Sequence, residues 1–548
     1  MKKYKLFLAI IASITLQACN DGFLDRYQEA INDGTFWNTP NDLKTYANRF
    51  YSYFPSGLVS LGDGSSDNQV PHSRPDFFWN EYPIPNTAST WNKSAWSHIR
   101  YTNYFLARYT KATGTETEIN QYVGEVRFFR ALDYANKINT FGDVPWLEED
   151  LSTNDDDILY GPRMKRELVM DKIIEDLDYA IKWLPERPET GRIGKDVARH
   201  IKARLCLREG TYYKYHTELG ISADKVKTLL ELAASAAAEV MATEKYAIYT
   251  TGDPLNDYYN MFLIEDKSGL SEAILPSTYK KDIRQHNSTR SISEAKSGFS
   301  KDYVNAYLCT DGKPIGISEL YKGDKNIADE TTNRDPRLKQ TILTPDFAWR
   351  IADNGTVTRL GEDNLISNYC YTGYNIIKYY SNIEANHQAN SNTYDGIVYR
   401  YAETLLIYAE AKAELGTITQ SDLDKSINLL RNRVGMPHLK TEVGFVDPNW
   451  PEWGYDLSTL LQEIRRERRV ELGGEGFRWE DILRWKAGKI TDNPSTYIGK
   501  WIPEEGKYAE VYGADRIRKW NDKLYLYPIP TNEILLNPQL APQNSGWE

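Results

Sequence analysis

The chain has 548 residues, which is too long for a single hydrophobic core and allows roughly two to four domains or one large helical array. Apolar residues make up 41% and charged residues 26%, an ordinary globular composition that excludes a wholly disordered chain. The formal net charge of −11 argues against a nucleic-acid binder that works through a broad basic surface. After the N-terminus, no apolar run approaches the ~20 residues of a membrane-spanning helix.

The N-terminus resembles an export signal. Lysines at positions 2, 3 and 5 precede an apolar segment at 6–16, which is too short to span a bilayer. The junction Leu-Gln-Ala-Cys at 16–19 is similar to a lipobox, in which the cysteine receives a diacylglyceryl group and becomes the mature N-terminus. We therefore predict a signal peptide at 1–18 and a lipid anchor at Cys19, with a plain secretory signal as the alternative.

The remaining cysteines do not predict a disulfide framework, despite the export signal. There are three of them, Cys206, Cys309 and Cys370, so a disulfide between any two would leave the third unpaired. No two of them have CxxC spacing. Cys206 lies in the apolar helical stretch ARLCL, so we expect it to be buried as a small hydrophobic residue.

Most of the periodic signal in the chain is helical. The apolar residues of the segment 166–184 recur about once per helical turn and form one stripe, which Pro185 ends: Ile173, Leu177, Ile181 and Leu184. Similar patterns predict helices at 122–138, 195–213 and 225–242, and a later helical block at 399–415, 421–434, 457–472 and 478–486. The first four helices start at spacings close to the ~34 residues of tetratricopeptide helix pairs.

Other regions lack this periodicity. Residues 54–97 are rich in proline and aromatic residues, and proline at this density prevents a long helix. Residues 270–390 are turn-rich, with short alternating runs such as 369–380 that predict small strands. Long loops inside a compact protein are usually functional. The proline-rich, aromatic segment 524–548 is expected to wrap the surface.

Several segments resemble one family, in the order in which that family has them. Residues 464–485 (IRRERRVELGGEGFRWEDILRW) and 125–147 (EVRFFRALDYANKINTFGDVPWL) are similar to motifs of the SusD/RagB family of nutrient-binding outer-membrane lipoproteins. Further matches to the same family occur at 297–315, 334–338 (RDPRL) and 409–437. Residues 526–543 (LYPIPTNEILLNPQLAPQ) resemble its closing motif.

The resemblance implies a mostly α fold. Four tetratricopeptide-like helix hairpins would form a superhelical scaffold, and a loop-rich half would contain the ligand site. It also implies a SusD-like N-terminal region at 19–245 and a C-terminal region at 246–548. The expected function is that of a surface lipoprotein of the outer membrane, which captures an oligosaccharide, or occasionally a peptide. It would deliver this ligand to a SusC-like TonB-dependent barrel transporter, without catalysis.

The charged motifs are interpreted as structural. The Arg/Glu run at 465–471 is expected to form ion pairs three or four residues apart on one helix, rather than a nucleic-acid surface. Glu403, Glu410 and Glu414 follow one another along one helix, and we expect them on its solvated face. The catalytic carboxylates of a glycoside hydrolase would instead face each other across a cleft.

No cofactor, metal or nucleic-acid partner is expected. The seven histidines show no paired metal spacing, and the three aspartates at 155–157 lack the spacing of an EF-hand. The chain also lacks a P-loop, a dinucleotide-binding fingerprint and a nucleophile elbow.

The aromatic loops contain the residue types that bind sugars. A Trp or Tyr ring offers a rigid apolar face to the C–H side of a sugar, and charged or amide side chains hydrogen-bond its hydroxyls. Within 54–97 we predict stacking platforms with polar partners beside them: Trp79 and Trp91, with Asp67, Arg74 and Asn92. The alternative is that the two tryptophans pack a small core beneath the loops.

A second set of ligand residues is predicted within 270–299. It comprises Tyr279, Arg284 and His286. The resemblance supports both segments as wholes, because the family has its ligand contacts there, but it supplies no motif for the individual residues.

Two other functions are alternatives to glycan capture. One is an all-α glycoside hydrolase or lyase at the cell surface, which would release reducing ends from a polysaccharide. The other is a tetratricopeptide scaffold that binds no glycan, which would not be retained in affinity gels.

The predicted anchor is testable by the substitution Cys19→Ala. Because the thiol is the acceptor of the lipid, the variant should lack lipid and be left unprocessed or released from the outer membrane. Membrane fractionation combined with metabolic lipid labelling measures this. A variant that remains in the membrane fraction and still incorporates label would contradict the lipobox.

Overall fold

The computed structural model describes residues 34–54, 62–513 and 516–548. The predicted signal peptide and Cys19 lie outside the described residues. In the described part of the chain, no helix combines the length and the apolar character needed to cross a bilayer.

The first helical block agrees closely with the sequence pattern. It comprises α1 (Pro40–Ala47), α2 (Ser97–Leu106), α3 (Glu116–Phe141), α4 (Asp156–Leu159), α5 (Arg166–Trp183), α6 (Lys195–Tyr215) and α7 (Ala223–Met241). The four helices predicted at 122–138, 166–184, 195–213 and 225–242 are confirmed as α3, α5, α6 and α7. Helix α3 begins earlier than predicted, at a capping box between Thr115 and Glu118.

The loop-rich region that follows contains only short helices among the described residues. These are α8 (Asp257–Met261), α9 (Ser288–Ser293), α10 (Lys301–Ala306) and α11 (Ile327–Thr331). The strands of the chain are also short: β1 (Gln69–Pro71), β2 (Ala273–Ser277), β3 (Ser297–Phe299), β4 (Arg350–Ile351), β5 (Val357–Thr358), β6 (Gly396–Arg400), β7 (Ile498–Ile502) and β8 (Lys507–Glu510). They pair antiparallel as β1–β3, β2–β6, β4–β5 and β7–β8.

The late helical block is α12 (Tyr401–Glu414), α13 (Gln420–Asp424), α14 (Ile427–Arg433), α15 (Thr459–Leu472), α16 (Arg478–Arg484) and α17 (Thr531–Leu536). The prediction of one helix at 421–434 is wrong. The chain breaks there at Ser426, whose backbone leaves the helical region with φ −133° and ψ −94°.

Both helical blocks contribute to one core. Helix α3 packs on α5, α6 packs on α5 and α7, and α12 packs on α6, α7 and α15. Buried side chains of α12 and α15, such as Leu406 and Ile464, join the same cluster as Leu177 of α5. The architecture is therefore a mostly α, tetratricopeptide-like superhelical scaffold, as predicted, with a separate aromatic core beneath the loops.

Two expectations outside the helices have opposite outcomes. The prediction of strands within 369–380 is wrong, because this segment forms isolated bridges such as Ile342–Ile376 instead of a ladder. The expectation that 524–548 wraps the surface is confirmed. The amide of Tyr527 donates to the Thr140 carbonyl over 2.8 Å, and the side-chain amide of Asn544 donates to Phe141, at the end of α3.

The arginines and glutamates of α15 are buried, except the partly exposed Arg469, and most of them bond to other elements. Glu471 accepts from Arg337, Arg400 and Arg433 at 2.9, 2.5 and 2.6 Å. Burial alone would raise the pKa of Glu471, but these three guanidinium groups outweigh it and hold the pKa well below its usual range. The predicted structural role of the 465–471 run is therefore correct, but its pairs are mostly tertiary. Only Arg466–Glu463 is an ion pair of the predicted spacing for an arginine of this run in the described chain.

The expectation that the glutamates of α12 are solvated is wrong. Glu403, Glu410 and Glu414 are at most 7% exposed. Glu410 binds Arg484 over 2.6 Å, and Glu414 binds Arg465 over 3.0 Å. The sequence pattern suggested the wrong environment because α12 is enclosed by α6, α7 and α15, so all of its residues except Lys412 and Ala413 are buried.

The apolar stripe of α5 gives a stability prediction. Leu177 is fully buried, whereas Ile181 is half-buried. Leu177→Ala should therefore lower the free energy of unfolding by about 2–5 kcal/mol, and Ile181→Ala by less. Denaturant titrations of both variants measure the difference, and equal or negligible losses would contradict the packing of this helix.

The charge network around α15 gives a second stability prediction. Removing one partner of a buried ion cluster leaves the other charges unpaired, so Glu471→Gln should cost about 3–5 kcal/mol at pH 7. The pKa of Glu471 is lower in the folded than in the unfolded chain. Its contribution to the free energy of unfolding is therefore complete at pH values above about 4.5, the ordinary pKa of glutamate, and is lost progressively as the pH falls below that value.

Chemical denaturation between pH 7 and pH 3 measures both effects, and the stability difference between the variant and the wild type should narrow towards pH 3. Glu231→Gln is the matched control, because it removes an exposed pair with Lys227 and should change stability little. A Glu471 variant as stable as this control would contradict the role of the network.

Candidate functional site

The short β1–β3 pair brings three distant segments together. Gln69 lies opposite Phe299 in this ladder, and the amide of Phe299 also donates to the Tyr374 carbonyl over 3.0 Å. Gly298 permits this approach, because a Cβ there would lie 2.1 Å from Oγ1 of Thr372. The loop after β1 and the turn at 367–374 therefore meet on either side of β3.

A pair of rings, one exposed and one half-buried, lies where these segments meet. The rings of His72 and Tyr371 stack with centroids 4.8 Å apart and an interplanar angle of 22°. Arg74 follows His72 by two residues, and Tyr369, which is 53% exposed, precedes Tyr371 by two. We name this set of four residues the His72–Tyr371 surface.

Arg74 is held in place by its neighbours. Its guanidinium donates to Glu81 and lies 5.2 Å above the ring of Trp79. Trp79 itself is only 7% exposed and packs edge-on against Tyr497 and Tyr512, at 5.3 and 5.2 Å. The expectation of Trp79 as an accessible platform is therefore contradicted by its burial, and the ring supports Arg74 from below.

Trp91 is also buried, at 5% exposure. Its ring packs edge-on against Phe141 at 4.7 Å and against Trp96 at 5.4 Å, within the main helical core. A sugar could stack on this ring only if the core opened, so its burial contradicts the expected platform here too. Both tryptophans are core residues, as the alternative predicted, although Trp91 belongs to the main core and not to a small core beneath the loops. Asn92 is exposed, and its side-chain oxygen accepts from the amide of Ala95.

Asp67 serves the structure through buried ion pairs. It is 1% exposed, accepts two hydrogen bonds from Arg478 at 2.7 and 2.8 Å, and lies 3.1 Å from a guanidinium nitrogen of Arg469. Burial would raise the pKa of Asp67, but Arg469 and Arg478 outweigh it and keep the carboxyl ionised. The same three residues line a polar cavity of about 420 Å³, so contact between Asp67 and a ligand stays a prediction.

The second predicted set is assembled, but it is mostly closed to solvent. Tyr279 and His286 lie with ring centroids 4.5 Å apart, and the guanidinium of Arg284 lies 4.4 Å above the Tyr279 ring. Ser288 donates its amide to Nδ1 of His286, so Nε2 bears the proton and donates to the Tyr394 carbonyl over 2.9 Å. Burial lowers the pKa of His286 to about 4, so the ring is neutral at pH 7 and both nitrogens are occupied. Arg284 is the exposed member of this set.

The structure adds His72, Tyr369 and Tyr371 to the candidate residues. Tyr369 and Tyr371 lie two residues apart in the turn at 367–374, and their closeness in sequence is the signal that could have marked this turn as a candidate. Their partner across β3 could not be found from spacing, because the contact depends on the β1–β3 pair.

The described residues offer little for metal or thiol chemistry. Among them, no group of three or more His, Cys, Asp or Glu side chains is placed to hold a metal ion. Cys206, Cys309 and Cys370 are buried free thiols, and burial raises the pKa of Cys206 to about 12. The expected burial of Cys206 is thus confirmed.

Comparisons with known proteins agree with this architecture. A model described as "Starch-binding associating with outer membrane" matches residues 31–205. The SusD-like protein P2 of Formosa agariphila is 22% identical over the whole of both chains. A SusD-like protein of Bacteroides fragilis superposes with a TM-score of 0.73 at 25% identity, covering 94% of this chain and 99% of its own.

A second solved structure, a SusD-like carbohydrate-binding protein of Bacteroides fragilis, has a TM-score of 0.70 at 21% identity. It covers 92% of this chain and 100% of its own. The model of the SusD family matches residues 263–547, which is more than half of the sequence. The chain therefore belongs to the SusD family.

Proposed function

We propose that this protein is a surface lipoprotein of the outer membrane that binds an oligosaccharide and delivers it to a SusC-like TonB-dependent barrel transporter. The observation on which the binding function rests is the His72–Tyr371 ring pair, in which His72 is exposed and Tyr371 half-buried, with Arg74 beside it. Anchoring through Cys19 and the division into regions 19–245 and 246–548 belong to the same proposal.

The chemistry of this surface suits a sugar. The ring of Tyr371 and the exposed ring of Tyr369 offer apolar faces to the C–H side of a pyranose, at a small cost in side-chain entropy. The guanidinium of Arg74 and the imidazole of His72 can hydrogen-bond hydroxyl groups at the edge of the same sugar.

The surface is also organised before a ligand arrives. Trp79 lies under Arg74, and Glu81 binds its guanidinium. His72 follows β1 directly, and β1 is fixed by its ladder with β3. Binding therefore immobilises few further side chains, which favours affinity for a ligand that makes weak individual contacts.

The comparisons support the ligand class and the location. One family model is described as starch-binding and associating with the outer membrane, and one solved relative as carbohydrate-binding. Transfer of these descriptions to this chain is part of the proposal, as are the barrel partner and the absence of catalysis.

The binding prediction concerns Tyr371→Ala and Arg74→Ala. Loss of one stacking ring or one anchoring charge should cost about 1–3 kcal/mol of binding, which is roughly a 5- to 150-fold weaker Kd. The melting temperature should change little, because both side chains reach solvent. Affinity gels with a polysaccharide panel that includes starch identify the ligand, and titration calorimetry then gives the Kd.

Two controls separate binding from folding. Tyr160→Ala removes an exposed ring that is not part of the site and should leave binding unchanged. Trp79→Ala removes a buried ring and should lower the melting temperature, with a loss of about 3–5 kcal/mol in stability. If Tyr371→Ala and Arg74→Ala bind like the wild type, the site lies elsewhere.

The same panel tests the alternative functions. Reducing ends released by the purified wild type would identify a glycoside hydrolase or lyase and overturn the binding-only proposal. Failure of the wild type to be retained by any polysaccharide would favour a scaffold that binds no glycan.

A further inference from the structure

A second concave surface lies in the helical scaffold, between α1, α2 and the segment 147–151. The cavity has a volume of about 850 Å³, within the usual range of small-molecule sites. It is lined by aromatic and basic side chains, among them Trp96, Tyr101, Arg49, Lys93 and Arg100. None of these residues belongs to the His72–Tyr371 surface.

The rings of this cavity are partly exposed to solvent, and buried side chains hold the Trp96 ring in place. Tyr101 is 39% exposed, and Trp96 is half-buried. The ammonium group of Lys137, which is itself buried, lies 4.4 Å from the centroid of the Trp96 ring. Trp91 packs against the same ring edge-on at 5.4 Å. A ring held in this way can receive a flat ligand without a further loss of side-chain freedom.

The guanidinium of Arg49 is oriented by two tyrosines. It lies 4.5 Å from the ring centroid of Tyr46 and 4.2 Å from that of Tyr101. Such stacking leaves the edge of the guanidinium plane free to donate hydrogen bonds. Arg49 is therefore positioned for a planar or tetrahedral anion that lies beside the Tyr101 ring.

The charge of the cavity is opposite to that of the whole chain. Arg49, Lys93 and Arg100 are exposed, and within the described residues none of the three forms an ion pair. The lining includes one acidic side chain, Glu149, so cations predominate here, whereas the full sequence has a net charge of −11. A cluster of unpaired cations repels itself, and a bound anion relieves this repulsion.

We propose that this cavity binds an anionic sugar residue, one that bears a carboxylate or a sulfate ester. Tyr101 and Trp96 receive the C–H face of the sugar, while Arg49, Lys93 and Arg100 bind its anionic group. Guanidinium groups suit both anions, because their parallel N–H donors match two oxygens at once. The inference rests on the proposed function for the ligand class, but it concerns a separate site and a charge preference of its own.

A lipid surface is the less suitable occupant. The lining includes one exposed apolar side chain, Leu159, but the rings and cations lie within a concavity, whereas a bilayer binds to apolar side chains that protrude. A sugar residue can enter this space and use its rings and its charges together.

The test uses the full mature chain and three probes: oligogalacturonate, a sulfated galactan oligosaccharide and a neutral malto-oligosaccharide. The double variant Lys93→Gln/Arg100→Gln should weaken binding of at least one anionic probe by about tenfold or more, and Tyr101→Ala should weaken it as well. Binding of a neutral glycan at the His72–Tyr371 surface should be unchanged. The charge-matched control is Lys313→Gln/Lys322→Gln, which removes two exposed lysines elsewhere and should have no effect.

Several results would overturn the inference. Failure of the wild type to bind either anionic probe is one, and a loss of binding in the control pair as large as that in the cavity pair is another. Loss of anionic binding in Arg74→Ala but not in the cavity variants would assign it to the other surface. Cavity-dependent binding to vesicles of anionic phospholipid, without binding of either anionic oligosaccharide, would assign the cavity to a lipid. Failure of every glycan, neutral or anionic, to bind would overturn the proposed function as well, whereas binding of an anionic probe that depends on the cavity, without binding of any neutral glycan, would uphold the inference.

Discussion

The buried arginines of α15 are the constraint on which the rest of the structure depends. Their guanidinium groups reach acidic side chains on different elements: Arg465 binds Glu414 of α12, Arg468 binds Asp481 of α16, and Arg469 binds Asp67 before β1. Taking a charge out of water is costly, and the cost is offset only when a partner lies at hydrogen-bond distance. Glu414 and Asp481 cannot move away without leaving a buried cation of α15 unpaired, and Asp67 cannot without leaving the buried Arg478 unpaired. These ion pairs fix the helical scaffold and the loops relative to each other.

The His72–Tyr371 surface, the proposed ligand site, is ordered by this network. Asp67 is held by Arg469 and Arg478, and β1 begins two residues later. The chain then passes directly to His72 and Arg74. A loop that would otherwise lose much entropy on binding is thus ordered by ion pairs formed on folding. This explains why a segment with little regular secondary structure can present side chains at defined positions.

The two proposed surfaces divide carbohydrate recognition between them. The His72–Tyr371 surface combines rings with one cation that is already paired to Glu81, so it suits neutral sugars. The cavity between α1 and α2 combines rings with unpaired cations, so it suits anionic ones. A glycan that bears both kinds of residue could engage both surfaces, and binding at one would then raise the effective concentration at the other.

The sequence by itself determined the elements whose causes are local. Apolar periodicity located the long helices, proline and glycine marked the loops, and the ordered motifs indicated the SusD family, because each of these signals lies within a few turns of chain. Only the tertiary structure decided which side chains are buried. Glu403 and Glu410 are interior because α12 is enclosed by three other helices, and Trp79 and Trp91 are covered by rings that are remote in sequence. Tyr371 meets His72 only because β1 pairs with β3. Burial and contacts between distant segments are properties of the folded structure, and the residue spacing within a single segment does not encode them.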